Sequence, residues 1–174
     1  RLMGPSDCVF ARNCMVRRLE PSRAADFLAQ NHFLGACRAR YYYGLFVERT
    51  TGEDELACPK GTLVAVGSFS NGRRFRDGHL SYEWIRYSSL KDMRVMGGMG
   101  KILKCFIEHV HPEDVMTYVD ASRSDGAAYK ALGFVEEGSV ERDGFTNLKL
   151  KLYLPPQDER NRSHSPETGQ NESI

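Results

Sequence analysis

Residues Arg94-Val-Met-Gly-Gly-Met-Gly-Lys-Ile-Leu103 place three glycines in positions 97–100, directly before an apolar run. From Ile102 the residues Leu103, Phe106, Ile107 and Val110 recur at helical spacing, and the run stops before Pro112. The stretch therefore reads as a loop opening the N-terminal end of a helix of about three turns. N–H groups there lack an intrahelical partner and carry the positive end of the helix dipole, and glycines leave the backbone uncovered. Such a loop suits a pyrophosphate, with Arg94 and Lys101 adding charge at its rim. Its alternative reading is a plain glycine-rich turn.

Outward from this loop, Leu80 to Leu90 reads as a strand. Alternation puts Tyr82, Trp84 and Arg86 on one face and Glu83, Ile85 and Tyr87 on the other. Downstream, Asp114 to Asp120 is a second strand, so the glycines lie inside a βαβ unit. A short helix from Ser124 or Asp125 to Leu132 follows, closed by Gly133 as a C-cap. Upstream, Met15 to Leu19 reads as a strand and Pro21 to Ala29 as a helix with a proline start. Tyr41–Val47 and Gly61–Phe69 read as antiparallel strands, and Phe134–Gly138 with Asn147–Leu154 close the sheet. The expected organisation is an N-terminal extension (1–13), one domain (14–154) and a polar, disordered tail (155–174).

Composition narrows the function classes. The 174 residues suffice for one packed domain, and a net charge of +1 gives no global attraction to nucleic acid. No apolar run reaches the roughly 20 residues of a membrane span, so no membrane partner is expected. Five cysteines without metal-ribbon spacing argue against a disulfide scaffold or structural zinc. They point to a reducing intracellular compartment: cytoplasm, nucleus, or an organelle after loss of a transit peptide. His109 and His111 straddle a helix end, where positive charge is favourable, and no metal is expected.

The second stretch that carries chemistry is Tyr129-Lys-Ala-Leu-Gly-Phe134, one strand beyond the glycine loop. Together with that loop it resembles the GNAT superfamily of acyl-CoA-dependent N-acetyltransferases. In that family a [Q/R]-x-x-G-x-[G/A] loop follows a long strand, and a later helix ends in Tyr-x-x-x-Gly-Phe. The resemblance spans Met15 to Leu154. It implies an α/β (α+β) fold with a mixed, mostly antiparallel central sheet, a βαβ cofactor-binding unit and flanking helices. It implies acetyl-CoA as cofactor, held by Tyr87, Ser88, Ser89, residues Arg94, Val95, Met96, Gly97, Gly98, Met99, Gly100 and Lys101 of the loop, and Ser122. The match departs from the pattern. With Arg94 in first place Met99 stands at the small position; with Gly98 and Gly100 as the glycines Val95 replaces the Gln or Arg. Ser122 stands where many members carry Asn. A narrower similarity is to phage Mom-type DNA-modification members. It rests on His32-Phe-Leu-Gly35, Gly97-Gly-Met-Gly-Lys-Ile-Leu103 and the Asp120-to-Tyr129 stretch, and implies a nucleobase or nucleic acid as acceptor.

Amine acylation needs a base for the ammonium, donors for the oxyanion and an acid for the departing thiolate. By the resemblance Tyr129 takes the acid role, and backbone N–H groups near Tyr87 to Ser89 face the thioester carbonyl. Glu83 on the strand before the loop is the first candidate base and Asp120 at the end of the next strand the second. Each has a plainer reading: Tyr129 as a packed helix residue, Glu83 as a strand residue paired with arginine, Asp120 as a cap. His32 and Gly35, after the first helix, would border the acceptor. Arg73 and Arg74 around Phe75, and Arg38 and Arg40 beside Tyr41, are basic clusters that suit phosphates and bases or simply solvent.

The leading expectation is direct transfer of acetyl from acetyl-CoA to an amine. The alternatives are a nucleic-acid-binding or nucleobase-modifying protein of this fold, and a catalytically silent subunit that binds a partner. Acceptor identity resides in loops such as Cys37–Tyr43 and Ser70–His79, whose shape no motif encodes. A monomer, or a homodimer formed by strand addition at the last hairpin, is compatible with the pattern.

Overall fold

The computed structural model describes residues 8–50 and 58–162. Its elements run β1 (Cys8–Phe10), a 3-10 turn (Ala11–Asn13), β2 (Cys14–Arg18), α1 (Pro21–Asn31), β3 (Tyr41–Val47), β4 (Leu63–Phe69), β5 (Arg73–Arg74), β6 (Leu80–Ser89) and β7 (Arg94–Met96). They continue with α2 (Gly98–Val110), β8 (Asp114–Asp120), α3 (Ala127–Ala131), β9 (Val135–Arg142), β10 (Phe145–Tyr153) and α4 (Gln157–Arg162). The main sheet has the order β2-β3-β4-β6-β8-β10-β9, with β5 added against the start of β6. The β6–β8 pair is parallel and the other pairs are antiparallel, because α2 carries the chain back over the sheet between them. Among the described residues no helix is long and apolar enough to cross a membrane.

α2 covers one face of the sheet and α1 the other. Ile102, Leu103 and Phe106 of α2 are buried against Tyr43, Phe69 and Trp84, and the Phe69 and Phe106 rings stack with centroids 3.9 Å apart. Gly67 lies beneath α2, where a Cβ would stand 2.7 Å from Ile102 Cγ2. On the other face Ala24, Phe27 and Leu28 of α1 close over Tyr42 and Val66.

Two irregularities make the sheet more than a platform. In β6, Trp84 pairs with Phe69 and Arg86 with Ser68, so Ile85 is an extra residue. The expected alternation is corrected here. Tyr87, rather than Arg86, shares the α2 face with Trp84, their rings 6.1 Å apart. Arg86 turns to the α1 face beside Ser68, which contacts Cys37. The second irregularity is that β6 and β8 pair only over Ser81–Glu83 and Asp114–Met116. Beyond that, β6 continues along β4 and β8 along β10, so the two halves of the sheet part in a V.

The ends of the chain depart from expectation. The 1–13 segment contributes β1, which pairs in parallel with β7, and Lys101 Nζ bonds Ala11 O and Cys14 O. Part of the segment expected to be disordered forms α4, whose Arg160 bonds Pro112 O at 3.1 Å; residues 163–174 lie outside the described residues. The closing strands also run longer than expected, because Asp143 and Gly144, both at positive φ, make a tight hairpin turn.

Candidate active site

The opening between β6 and β8 is the centre of the site. Thr117 Oγ1 donates to Trp84 O at 2.9 Å, a side-chain bond where the backbone ladder has ended. Leu90 N–H donates to Val64 O, so antiparallel alternation points the Ser88 N–H to β4 and those of Tyr87 and Ser89 into the opening. Ser88 itself is turned away, its hydroxyl donating to Asn31 O at 2.9 Å.

At one mouth of this opening stands the start of α2. Gly97 takes φ 77, a left-handed conformation that releases the chain from β7 into the helix. The first backbone bond inside the helix is Lys101 N–H to Gly97 O at 3.1 Å, and no side chain caps the end. The N–H groups of Gly98, Met99 and Gly100 are thus the uncapped donors of the first turn. A Cβ on Gly98 would collide with Tyr87 Oη and come within 2.8 Å of Val95 Cγ1; one on Gly100 would touch Leu132 Cδ2 at 3.4 Å. The glycine turn and the short helix α3 are therefore neighbours. Arg94 is exposed beside the turn. Lys101 is not at its rim, since its ammonium is committed to the Ala11 and Cys14 carbonyls.

Tyr129 comes from α3. Gly126, at φ 76 and facing Leu150, starts this helix, and Gly133, at φ 99, ends it so that Phe134 enters the core. The Tyr129 ring stands edge-on to Trp84 at 5.3 Å and to Phe134 at 5.6 Å. The Thr117 side chain lies near enough to influence its titration, which places the phenol beside the opening. Burial raises its pKa, partly countered by the Thr117 side chain and the Arg86 charge. Tyr87, deeper between the strand and α2, is pushed up to about 12 by burial, with Tyr129 and Cys14 adding to the shift. Both phenols hold their protons at neutral pH.

The α1 face of the opening carries the charged groups. Burial raises the pKa of Glu83, with Arg142 and Arg86 opposing. His32 follows α1, stacked on Phe33 at 4.8 Å, and its Nδ1 accepts the Leu34 N–H at 3.0 Å. Burial and the Arg86 charge lower its pKa to about 4, so it is neutral with its proton on Nε2. Gly35, at φ 67, turns the chain there and donates to His32 O. Phe33 reaches across the opening, where Arg123 lies over its ring at 4.1 Å.

Other candidates are placed elsewhere. Asp120 accepts from the amide and hydroxyl of Ser122, which hold its carboxyl below the usual range, and it lies 3.8 Å from Arg123 Nε. This is the capping arrangement, and it occupies the Ser122 hydroxyl as well. Arg73 and Arg74 pair with Ser81 and Leu80 at the opposite end of β6, about 17–20 Å of strand from Arg86. They do not join the opening. Two residues at the centre escaped the sequence reading: Thr117, whose signal is a polar residue at an inward position between Val115 and Val119, and Arg86, misplaced by the bulge.

No family model and no curated protein sequence matches the chain. Solved structures match its fold. The NatC complex bound to Gag peptide and CoA is 12% identical with TM-score 0.59, covering 82% of this chain and 99% of that one. Naa50 of Arabidopsis thaliana, in complex with the bisubstrate analogue CoA-Ac-MVNAL, is 9% identical with TM-score 0.59 and the same coverage. The spermidine/spermine N-acetyltransferase SpeG of Vibrio cholerae is 12% identical with TM-score 0.54, covering 87% and 99%. The fold of this chain is the GNAT fold.

Proposed function

We propose that this chain is a GNAT-type N-acetyltransferase that moves an acetyl group from acetyl-CoA directly to an amine. The observation that carries the reading is the Tyr129 phenol, set edge-on to Trp84 beside a strand opening whose mouth is an uncapped glycine-rich helix start. CoA is present in the NatC structure, and a CoA-based bisubstrate analogue in the Naa50 one. Here the N–H groups of Gly98, Met99 and Gly100 would hold the pyrophosphate, and the missing Cβ atoms would leave it room. This favours the register in which Gly98 and Gly100 are the motif glycines and Val95 stands in first place. The exposed Arg94 then supplies the charge that the motif's first residue lacks.

The bound cofactor supplies an activated acetyl thioester. The N–H groups of Tyr87 and Ser89 are the donors available to its carbonyl oxygen, fixed in direction by the strand. Tyr129 Oη, kept protonated by burial, gives its proton to the departing sulfur. Glu83, its pKa raised by burial, takes the proton of the acceptor ammonium, directly or through one water. Asp120 is not assigned that role, because its bonds to Ser122 make it a weaker base. Arg73 and Arg74 pair with the far end of β6, so that pair does not support a nucleic-acid acceptor at the opening.

The test is the melting temperature with and without acetyl-CoA, followed by mass-spectrometric detection of acetylated amines. A rise with acetyl-CoA and a weaker response to ADP supports the reading. No rise at millimolar acetyl-CoA sinks it.

A further inference from the structure

Arg86 stands out because, among the described residues, no ion pair holds its charge. It sits half-buried on the α1 face of β6, next in the chain to the Tyr87 N–H that enters the opening. Its guanidinium makes a single hydrogen bond, from Nη1 to Ile85 O at 3.1 Å, and its Nε is buried without a hydrogen-bond partner. Glu83 lies within reach of its field, yet no carboxylate approaches within ion-pair distance among the described residues. Its charge is also felt at His32 and Tyr129, so the guanidinium lies among the groups that border the reaction. Leaving a partly desolvated cation unpaired costs stability unless an anion arrives to share the site.

The surroundings fit an anion better than a cation. Arg123 over Phe33 and Arg142 over Tyr118 flank the same opening, and Asp120 is already engaged with Ser122 and Arg123. His32 presents a neutral Nε2–H, a further donor without charge. A planar carboxylate can take two parallel N–H bonds from a guanidinium edge, which a lone ammonium or hydroxyl cannot reproduce.

We propose that Arg86 is the specificity residue of this site and that it binds a carboxylate carried by the acceptor beside its reacting amine. The acceptor is thus an amino acid or an acidic peptide N-terminus rather than a polyamine. This rests on the acetyltransferase reading. Ile85, the bulge residue, is what makes it possible, since regular alternation would have turned Arg86 into the core face.

The experiment measures acetyl transfer by mass spectrometry for matched acceptors: glycine against glycinamide, aspartate against its diamide, an Asp-Glu-Ala peptide against Asn-Gln-Ala, and spermidine. Wild type, Arg86→Lys and Arg86→Met are compared, each first checked for its melting temperature and its acetyl-CoA response. The expected result is a preference of tenfold or more for a carboxylate member over its amide. Arg86→Met should bring that ratio near one, and Arg86→Lys should leave part of it. Free amino acids and peptides are told apart by which pair shows the preference. Equal use of acids and amides, better use of spermidine, an unchanged ratio in Arg86→Met, or no transfer to any member by a protein that responds to acetyl-CoA would each overturn the proposal. In all of those the cofactor reading survives. Loss of the wild-type acetyl-CoA response removes both.

Discussion

Gly100→Glu separates the helix from its ligand. Gly100 is the third residue of α2, has an ordinary helical backbone, and would present a Cβ 3.4 Å from Leu132 Cδ2, a tolerable contact. Replacing a helix-interior glycine gains about 0.5 kcal/mol of propensity. A carboxylate in the first turn adds about 0.3–1 kcal/mol through the helix dipole. The free protein should therefore be more stable by about 1 kcal/mol, a rise of roughly 2–4 °C in a chain of this size. The same carboxylate lies against the N–H groups assigned to the pyrophosphate and repels it. Acetyl-CoA at about 100 times its Kd stabilises wild type by about 2.7 kcal/mol, or roughly 5–10 °C, whereas the variant should show no shift. Differential scanning calorimetry with and without the ligand reads both numbers. An equal acetyl-CoA shift in Gly100→Glu would refute the cradle, and a destabilised free variant would refute the packing argument beneath it.

Other substitutions test the remaining assignments. Tyr129→Phe keeps the ring against Trp84 and Phe134 and should lower transfer by about 10²–10⁴-fold with the acetyl-CoA shift retained; unchanged turnover would return Tyr129 to a packing role. Lys101→Met removes the bonds to Ala11 O and Cys14 O and should cost about 1–3 kcal/mol in urea unfolding without changing acetyl-CoA binding; weakened binding instead would place its ammonium at the ligand. His32 has a folded pKa near 4 against 6.5 for the free side chain, so the unfolded chain binds more protons in that window and stability falls as pH drops through it. His32→Asn should flatten the fall in urea midpoint between about pH 6.5 and 4, and identical slopes would show that His32 is solvated.

Much of the architecture was legible because local pattern and tertiary placement agree. The α2 stripe, the β8 alternation and the glycine that closes α3 each specify their own element. The pairing of the glycine turn with Tyr129 was also readable, since both lie in one strand–helix–strand–helix passage. What could not be read depends on counting across strands. Ile85 is an ordinary strand residue in sequence, and only the register against β4 reveals it as surplus, which moved Arg86 to the other face. Lys101 looked like a phosphate ligand because nothing in a linear chain shows that the carbonyls of residues 11 and 14 come to meet it. The Asp143-Gly144 turn, by contrast, carried a local signal that would have lengthened the closing hairpin.

The surplus residue in β6 also bears on what such a fold must inherit. Neither Ile85 nor Trp84 makes the bulge by its side chain; it exists because one strand holds one residue more than its neighbour can match. That is a property of number, indifferent to residue type, and it survives any substitution that leaves the chain the same length. The same fold is accordingly found at 9–12% identity in the acetyltransferase structures, where few side chains are shared. A deletion of Ile85 would restore regular alternation and turn Arg86 to the α2 face, which replacement of its side chain would not do.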